Sequence, residues 1–443
     1  MIIFLIFLFS PFNSSPYLTV TGSPQTSIIL NWNTETLDST IVAYGLTPNL
    51  EDTFRIPELS YYHHATLTGL LPGASYYYEV VPLKIKGRFH TFPQSCDSFS
   101  FCAFGDTRTD SAAHQSVIDR MSQYPFSFLL HSGDLVAYGD NTDDWRTFFN
   151  IEDTIIRYIT FMPTIGNHES PYWPYDTLFL LPDSEDYYSF QYANCYFINL
   201  NTQIDLSGPQ KVWLEEELIE ANNNPEIDWI FVTLHRPPYS SGNHGSQLDV
   251  RSAWCPLFET YNVDIVFGGH DHDYERTVPI NGVVYIVTGG GGAPLRDVDS
   301  SPWTAHSEKT YHFCYITIKG RKLWLKVIRP DGSICDTLFI DKTVAVKSRV
   351  STNQGMLLLT PNPFSQQLTV IFGVLRPTHI RVLIYDRMGR LVQTLVDKKE
   401  DSGINRLIWE GKDELGHSID SGIYFVVLEH DDRRIIKKVI KAN

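Results

Sequence analysis

The chain has 443 residues, enough for about three domains and for a core that needs no disulfide or structural metal. Its 35 Lys and Arg against 51 Asp and Glu leave a formal net charge of −16. That balance disfavours broad contact with nucleic-acid backbones or anionic lipid. Hydrophobic residues at 43% and charged residues at 19% exclude a disordered chain, and 13% aromatics tilt the reading toward β structure.

Residues 1–9 (MIIFLIFLF) are uninterrupted apolar. A bilayer span takes about 18 residues, so this run reads as the core of a secretory signal peptide within residues 1–15, or else as a buried first strand. No other segment is apolar enough for a stable membrane span. Residues 16–94 carry short strand patterns at 27–32, 41–44, 64–67 and 76–81, with a Leu-Pro-Gly turn at 71–73. They predict a small β-sandwich. Residues 95–342 alternate apolar runs with helical patterns at 112–123, 144–159 and 209–222, the signature of an α/β domain. Residues 343–356 are polar and read as a linker, and residues 357–443 return to β patterning at 379–385, 391–395, 406–409, 423–428 and 434–440. Six scattered cysteines form no CxxC pair; they leave room for one or two bridges and otherwise read as buried apolar residues.

Five apolar runs of the central domain end in metal-type ligands. Residues 99–104 lead into Gly105-Asp106, 126–130 into Gly133-Asp134, and 161–165 into Gly166-Asn167-His168-Glu169. Residues 229–234 lead into His235, and 263–267 into Gly268-Gly269-His270-Asp271-His272. Loops at the carboxyl ends of strands form the crevice of an open α/β sheet, so these ligands are expected to converge. Carboxylate, amide and imidazole donors suit two cations sharing a bridging carboxylate, an arrangement that clamps a phosphoryl group and generates a hydroxide nucleophile. The preceding glycines would allow sharp turns and close backbone approach. The Gly289–Gly292 run lacks the Gly-Lys-Ser/Thr of a phosphate-binding loop and is expected to let backbone pass near the site. Tyr274 and Arg276 either line the pocket or pack.

The motifs GDT (105–107), GDL (133–135), GNHE (166–169), TLHRPPYSS (233–241) and GGHDHDYER (268–276) resemble those of the calcineurin-like metallophosphoesterases, the purple acid phosphatase branch in particular. The resemblance implies a four-layer α/β/β/α sandwich behind a fibronectin type III-like domain. It implies that Asp134 bridges two divalent or trivalent ions (Fe, Zn or Mn), with Asp106 and His272 on the first and Asn167, His235 and His270 on the second. His168 would contact the phosphate and protonate the leaving group, with Asn167 and His244 also facing substrate. Two positions depart from the branch. Ala137 stands where it carries a tyrosinate ligand, with Tyr138 one residue late, which predicts a colourless centre. Arg108 replaces a glycine; it either reaches the substrate phosphate or pairs with an acidic neighbour such as Asp110.

PNPF (361–364), IYDRMGRLVQTL (384–395), WEGKDELGHSIDSGIYFVVL (409–428) and the basic last strand resemble a type IX secretion sorting domain. That resemblance implies an immunoglobulin-like sandwich cored by Trp409 and Tyr424, the secretion machinery as a partner, and a secreted or surface-bound bacterial protein; a simple adhesive sandwich is the other reading. The expected activity is phosphomonoester hydrolysis by metal-bound hydroxide on small phosphoesters. A phosphodiesterase or nucleotidase, or a binding protein with a decayed metal site, are the alternatives. The oligomeric state stays open. Bound cations and Arg108 can reverse the acidic field locally, so the net charge does not exclude a phosphate in a metal-lined pocket.

Overall fold

Apolar runs bounded by glycine and capped helices build two units in the computed structural model, which describes residues 10–343, 357–374, 377–400, 403–430 and 433–442. The apolar run 1–9 and all but the first residue of the expected linker lie outside the described residues. In chain order the first unit has β1 (Tyr17–Thr19), β2 (Ser27–Gly45), β3 (Asp52–Thr68), β4 (Ser75–Val80), β5 (Ile85–His90), β6 (Ser98–Phe104), α1 (Ser111–Met121), β7 (Phe128–His131) and α2 (Thr142–Ile156). There follow β8 (Thr160–Pro163), α3 (Trp173–Leu178), β9 (Tyr188–Tyr192), β10 (Cys195–Leu200), α4 (Pro209–Asn223), β11 (Trp229–Leu234), α5 (Leu248–Thr260) and β12 (Ile265–Gly268). It closes with β13 (Tyr274–Thr277), β14 (Val284–Thr288), β15 (Thr304–Glu308), β16 (Phe313–Lys319), β17 (Lys322–Ile328) and β18 (Ile334–Asp341).

One sheet runs β18-β17-β16-β6-β7-β8-β1-β2-β4-β5, with β3 also on β2; the other runs β15-β13-β14-β12-β11-β10-β9. Strands β6, β7 and β8 are parallel, as are β10, β11, β12 and β14, so the expected ligand-bearing ends point the same way in each sheet. Phenylalanines join the two sheets. Phe101 on β6 meets Phe197, Phe231 and Phe267 at ring-centroid separations of 5.2, 5.3 and 6.4 Å. Each fully buried ring contributes about 1.5–3 kcal/mol. Asp110 caps α1 by accepting from the Ala112 and Ala113 N–H groups, Asn141 caps α2, and Pro209 opens α4.

Two expectations are corrected. The strand patterns at 27–32 and 41–44 belong to the single strand β2; the polar residues between them are absorbed by register shifts against β3 rather than by a turn. The amino-terminal strands also do not form a detached sheet: β1 pairs with β2 on one side and, through Leu18 and Thr160, with β8 on the other. All six cysteines are free thiols, four of them buried.

His63 is buried against Trp32, with Thr34 and Thr40 hydroxyls 3.0 and 2.9 Å from its ring nitrogens. Burial pulls its pKa down to about 4, against an opposing pull from Asp38. His312 is likewise pulled to about 4 by burial. Both are neutral in the folded chain, and both bind protons in the unfolded chain below about pH 6.5. The unfolded state thus holds more protons at these two groups between these values, and their contribution to stability falls as pH drops from about 6.5 to about 4, by on the order of 2 kcal/mol per group. In thermal melts His63→Gln should lose less stability than wild type across this range; a constant difference between the two profiles would contradict it.

The second unit is a two-sheet sandwich. Strands β19 (Leu357–Thr360), β20 (Leu368–Val374) and β23 (Gly403–Trp409) form one sheet; β21 (Thr378–Asp386), β22 (Leu391–Glu400), β24 (Gly422–His430) and β25 (Arg433–Lys441) form the other. Trp409 and Tyr424 sit edge to face at 5.8 Å in its core, as expected.

Candidate metal centre

The candidate ligand residues leave their strands in sharp turns. Asp106, Asp134 and His270 have φ of 57, 57 and 71°, the left-handed region that costs a side-chain-bearing residue energy and clusters at functional sites. Glycines were expected to supply this freedom, but of those directly preceding the ligands only Gly133 has positive φ. The others supply room. A Cβ on Gly166 would overlap the Asp134 backbone nitrogen and Oδ1, and one on Gly269 would press on Asp106 Oδ2 and Ser132. Gly166→Ala should therefore keep the fold but bind metal about 10–100-fold more weakly; unchanged retention of metal after dialysis would contradict this.

Asp134 sits at the centre. Its Oδ1 accepts from the His168 N–H at 3.0 Å and lies 3.3 Å from His235 Nε2. Donor atoms of Asp134, His235 and His270 lie within 4.8 Å of one another, and Asn167 Oδ1 is 3.1 Å from His235 Nε2. His235 Nδ1 donates to the Ser132 carbonyl at 2.9 Å, so Nε2 presents a lone pair. Burial depresses the pKa of His235, and takes His270 to about 2 and His272 to about 3. Burial would raise Asp134, but His235, His168 and Arg108 hold it low. Neutral imidazoles facing an ionised carboxylate and an amide oxygen form an acceptor-only set, which a cation satisfies. This position fits a metal.

The other expected position is different. Asp106 Oδ1 and His272 Nε2 are 3.6 Å apart, and His272 Nδ1 donates to the Pro294 carbonyl at 2.9 Å. Arg108 enters here: its Nε donates to Asp134 Oδ2 at 3.1 Å and its Nη2 to His272 Nε2 at 3.1 Å. The Asp110 pairing is thus corrected: the guanidinium turns to Asp134 and His272, while Asp110 Oδ1 caps α1.

His168 Nδ1 donates to the Ala137 carbonyl at 2.8 Å, leaving Nε2 3.9 Å from Asp134 Oδ2. His244 stacks on His270 at 4.1 Å, and its ring contacts Arg296. Tyr138 is exposed and outside the donor set. Tyr274 and Arg276 are spent on packing, both donating to Asp336. The glycine run does carry backbone past the site: Gly291 N–H donates to the Gly105 carbonyl, and Ala293 N–H to that of Asp106.

Three residues have roles that the motifs alone did not imply. Glu169 is buried and accepts from the N–H groups of Asp134, Leu135, Val136 and Gly166 at 3.0, 2.7, 3.2 and 2.7 Å, tying two ligand loops together. Its place three residues after Gly166 is the reach-back spacing of a capping box, which was a usable signal. Arg236 and Arg296 add positive charge beside His270, His244 and His272, and no local pattern announces them.

Sheets and centre together define a metallophosphoesterase fold. The calcineurin-like phosphoesterase family model matches residues 99–274, the purple acid phosphatase N-terminal domain model 14–91, and the secretion system C-terminal sorting domain model 359–442. The chain carries all three domains. It is 30% identical over 274 residues to Fe(3+)-Zn(2+) purple acid phosphatase 12 of Arabidopsis thaliana, covering 55% of this chain and 57% of that one. It is 26% identical over 397 residues to acid phosphatase type 7 of Homo sapiens, covering 73% and 90%. The chain spans about half the length of several curated relatives that it matches. A purple acid phosphatase from yellow lupin (Lupinus luteus) seeds shares the fold, with a TM-score of 0.66, 20% identity and 74% of each chain covered. Such relatives imply a dimetal centre.

Proposed function

We propose that the chain is a secreted, metal-dependent phosphomonoesterase of the purple acid phosphatase type acting on small phosphoesters. The observation that carries this reading is the acceptor-only set of Asp134, Asn167, His235 and His270, bordered by the guanidinium groups of Arg108, Arg236 and Arg296. Bound Fe, Zn or Mn ions would neutralise phosphate charge and activate water. Asn167 and His244 border the substrate position. His168, oriented through Ala137, would hold a proton at Nε2 for the departing alkoxide. Exposed Tyr138 and the alanine at 137 support a colourless centre, because neither brings a tyrosinate to the donors.

The layer order helix, sheet, sheet, helix belongs to the same reading. It is supported by the phenylalanine contacts between the sheets, by α1 and α2 packing together beside the first sheet, and by α4 packing on β10. So do the boundaries 16–94, 95–342 and 357–443. The sorting domain supports export to the medium or cell surface, and no described helix is long and apolar enough to cross a membrane.

Rates on 4-nitrophenyl phosphate and bis(4-nitrophenyl) phosphate test the substrate class. The monoester should be favoured by about tenfold or more in kcat/KM; the reverse order would favour a diesterase.

A further inference from the structure

The first cation position already holds a positive charge. Arg108 follows Asp106 by two residues, and its guanidinium occupies Asp134 Oδ2 and His272 Nε2. Because His272 Nδ1 is committed to the Pro294 carbonyl, Nε2 has one lone pair, which serves the guanidinium or a metal but not both. The third donor, Asp106 Oδ1, is buried and makes no hydrogen bond. A guanidinium stays protonated at any working pH, and its planar fork spans two acceptors at once. The Arg108 side chain is 11% exposed and its partner Asp134 1%, so this pair resists exchange far more than a surface pair would.

We propose that Arg108 is the resident cation of the first position, and that a metal ion enters there only by displacing the guanidinium from Asp134 and His272. The centre then holds one ion tightly, on Asp134, Asn167, His235 and His270, and a second one weakly. This inference rests on the metal-dependent reading above. It adds that the charge opposite the tightly held ion is supplied by the chain itself.

The test is titration of chelator-stripped full-length protein with Mn(II), followed by equilibrium dialysis and electron paramagnetic resonance. Wild type should bind one tight equivalent with a mononuclear signal, and a second with a Kd at least about 100-fold higher. Arg108→Gly should bind two equivalents of comparable affinity and give a spin-coupled signal. Arg108→Gln, which keeps the start of the side chain but neither the charge nor the reach to His272 Nε2, should do the same and stands in if the glycine variant fails to fold. Two tight equivalents in wild type, or one in both folded variants, would overturn the proposal. No bound Mn(II) in any of the proteins would instead overturn the metal-dependent reading itself.

Discussion

Replacing Asp134 by asparagine should remove bound metal and lower kcat/KM for a phosphomonoester by about a thousandfold or more. Both carboxylate oxygens are engaged: Oδ1 faces the His168 N–H and His235, and Oδ2 faces Arg108. Asparagine is the informative replacement because it tolerates φ of 57°, where alanine would add backbone strain to the loss of the ligand. The amide keeps one acceptor but loses the charge that answers the cation and the guanidinium. Retention of more than a tenth of wild-type activity would remove Asp134 from the centre of the account.

Glu169→Ala should be the most destabilising single change near the site. It would strand the buried N–H groups of Asp134, Leu135, Val136 and Gly166, at a cost of about 3–5 kcal/mol. The melting transition of the first unit should fall by roughly 5–10 °C. Because the same carboxylate sets the spacing between the Asp134 and Asn167 loops, metal affinity should fall with it. Glu169→Gln keeps the volume but turns an amide N–H toward N–H donors, so it should lie between wild type and alanine. An unchanged melting temperature for Glu169→Ala would show that the loops are held some other way.

The convergence of the candidate donors was legible because each follows an apolar run, and parallel strands in each sheet bring those ends together. Asp106, Asp134, Asn167, His235, His270 and His272 all lie where that pattern puts them. What stayed hidden is non-local or conformational. The pairing of Leu18 with Thr160 joins segments far apart in the chain and leaves no local trace, so the amino-terminal strands read as a separate sandwich. The left-handed backbone at Asp106, Asp134 and His270 is imposed by tertiary packing on residues that do not require it. Arg108 was weighed against a neighbour two residues away, whereas its partners Asp134 and His272 come from other strand ends.

The proposed activity requires a cation held by Asp134, Asn167, His235 and His270 beside a phosphoester. The most direct measurement is phosphate release from 4-nitrophenyl phosphate by the full-length protein, metal-loaded and chelator-stripped, with metal content determined on the same samples. Metal-loaded protein should turn over, stripped protein should not, and restoring the ion should restore the rate. Protein that carries metal at this centre and releases no phosphate from any ester would contradict the account.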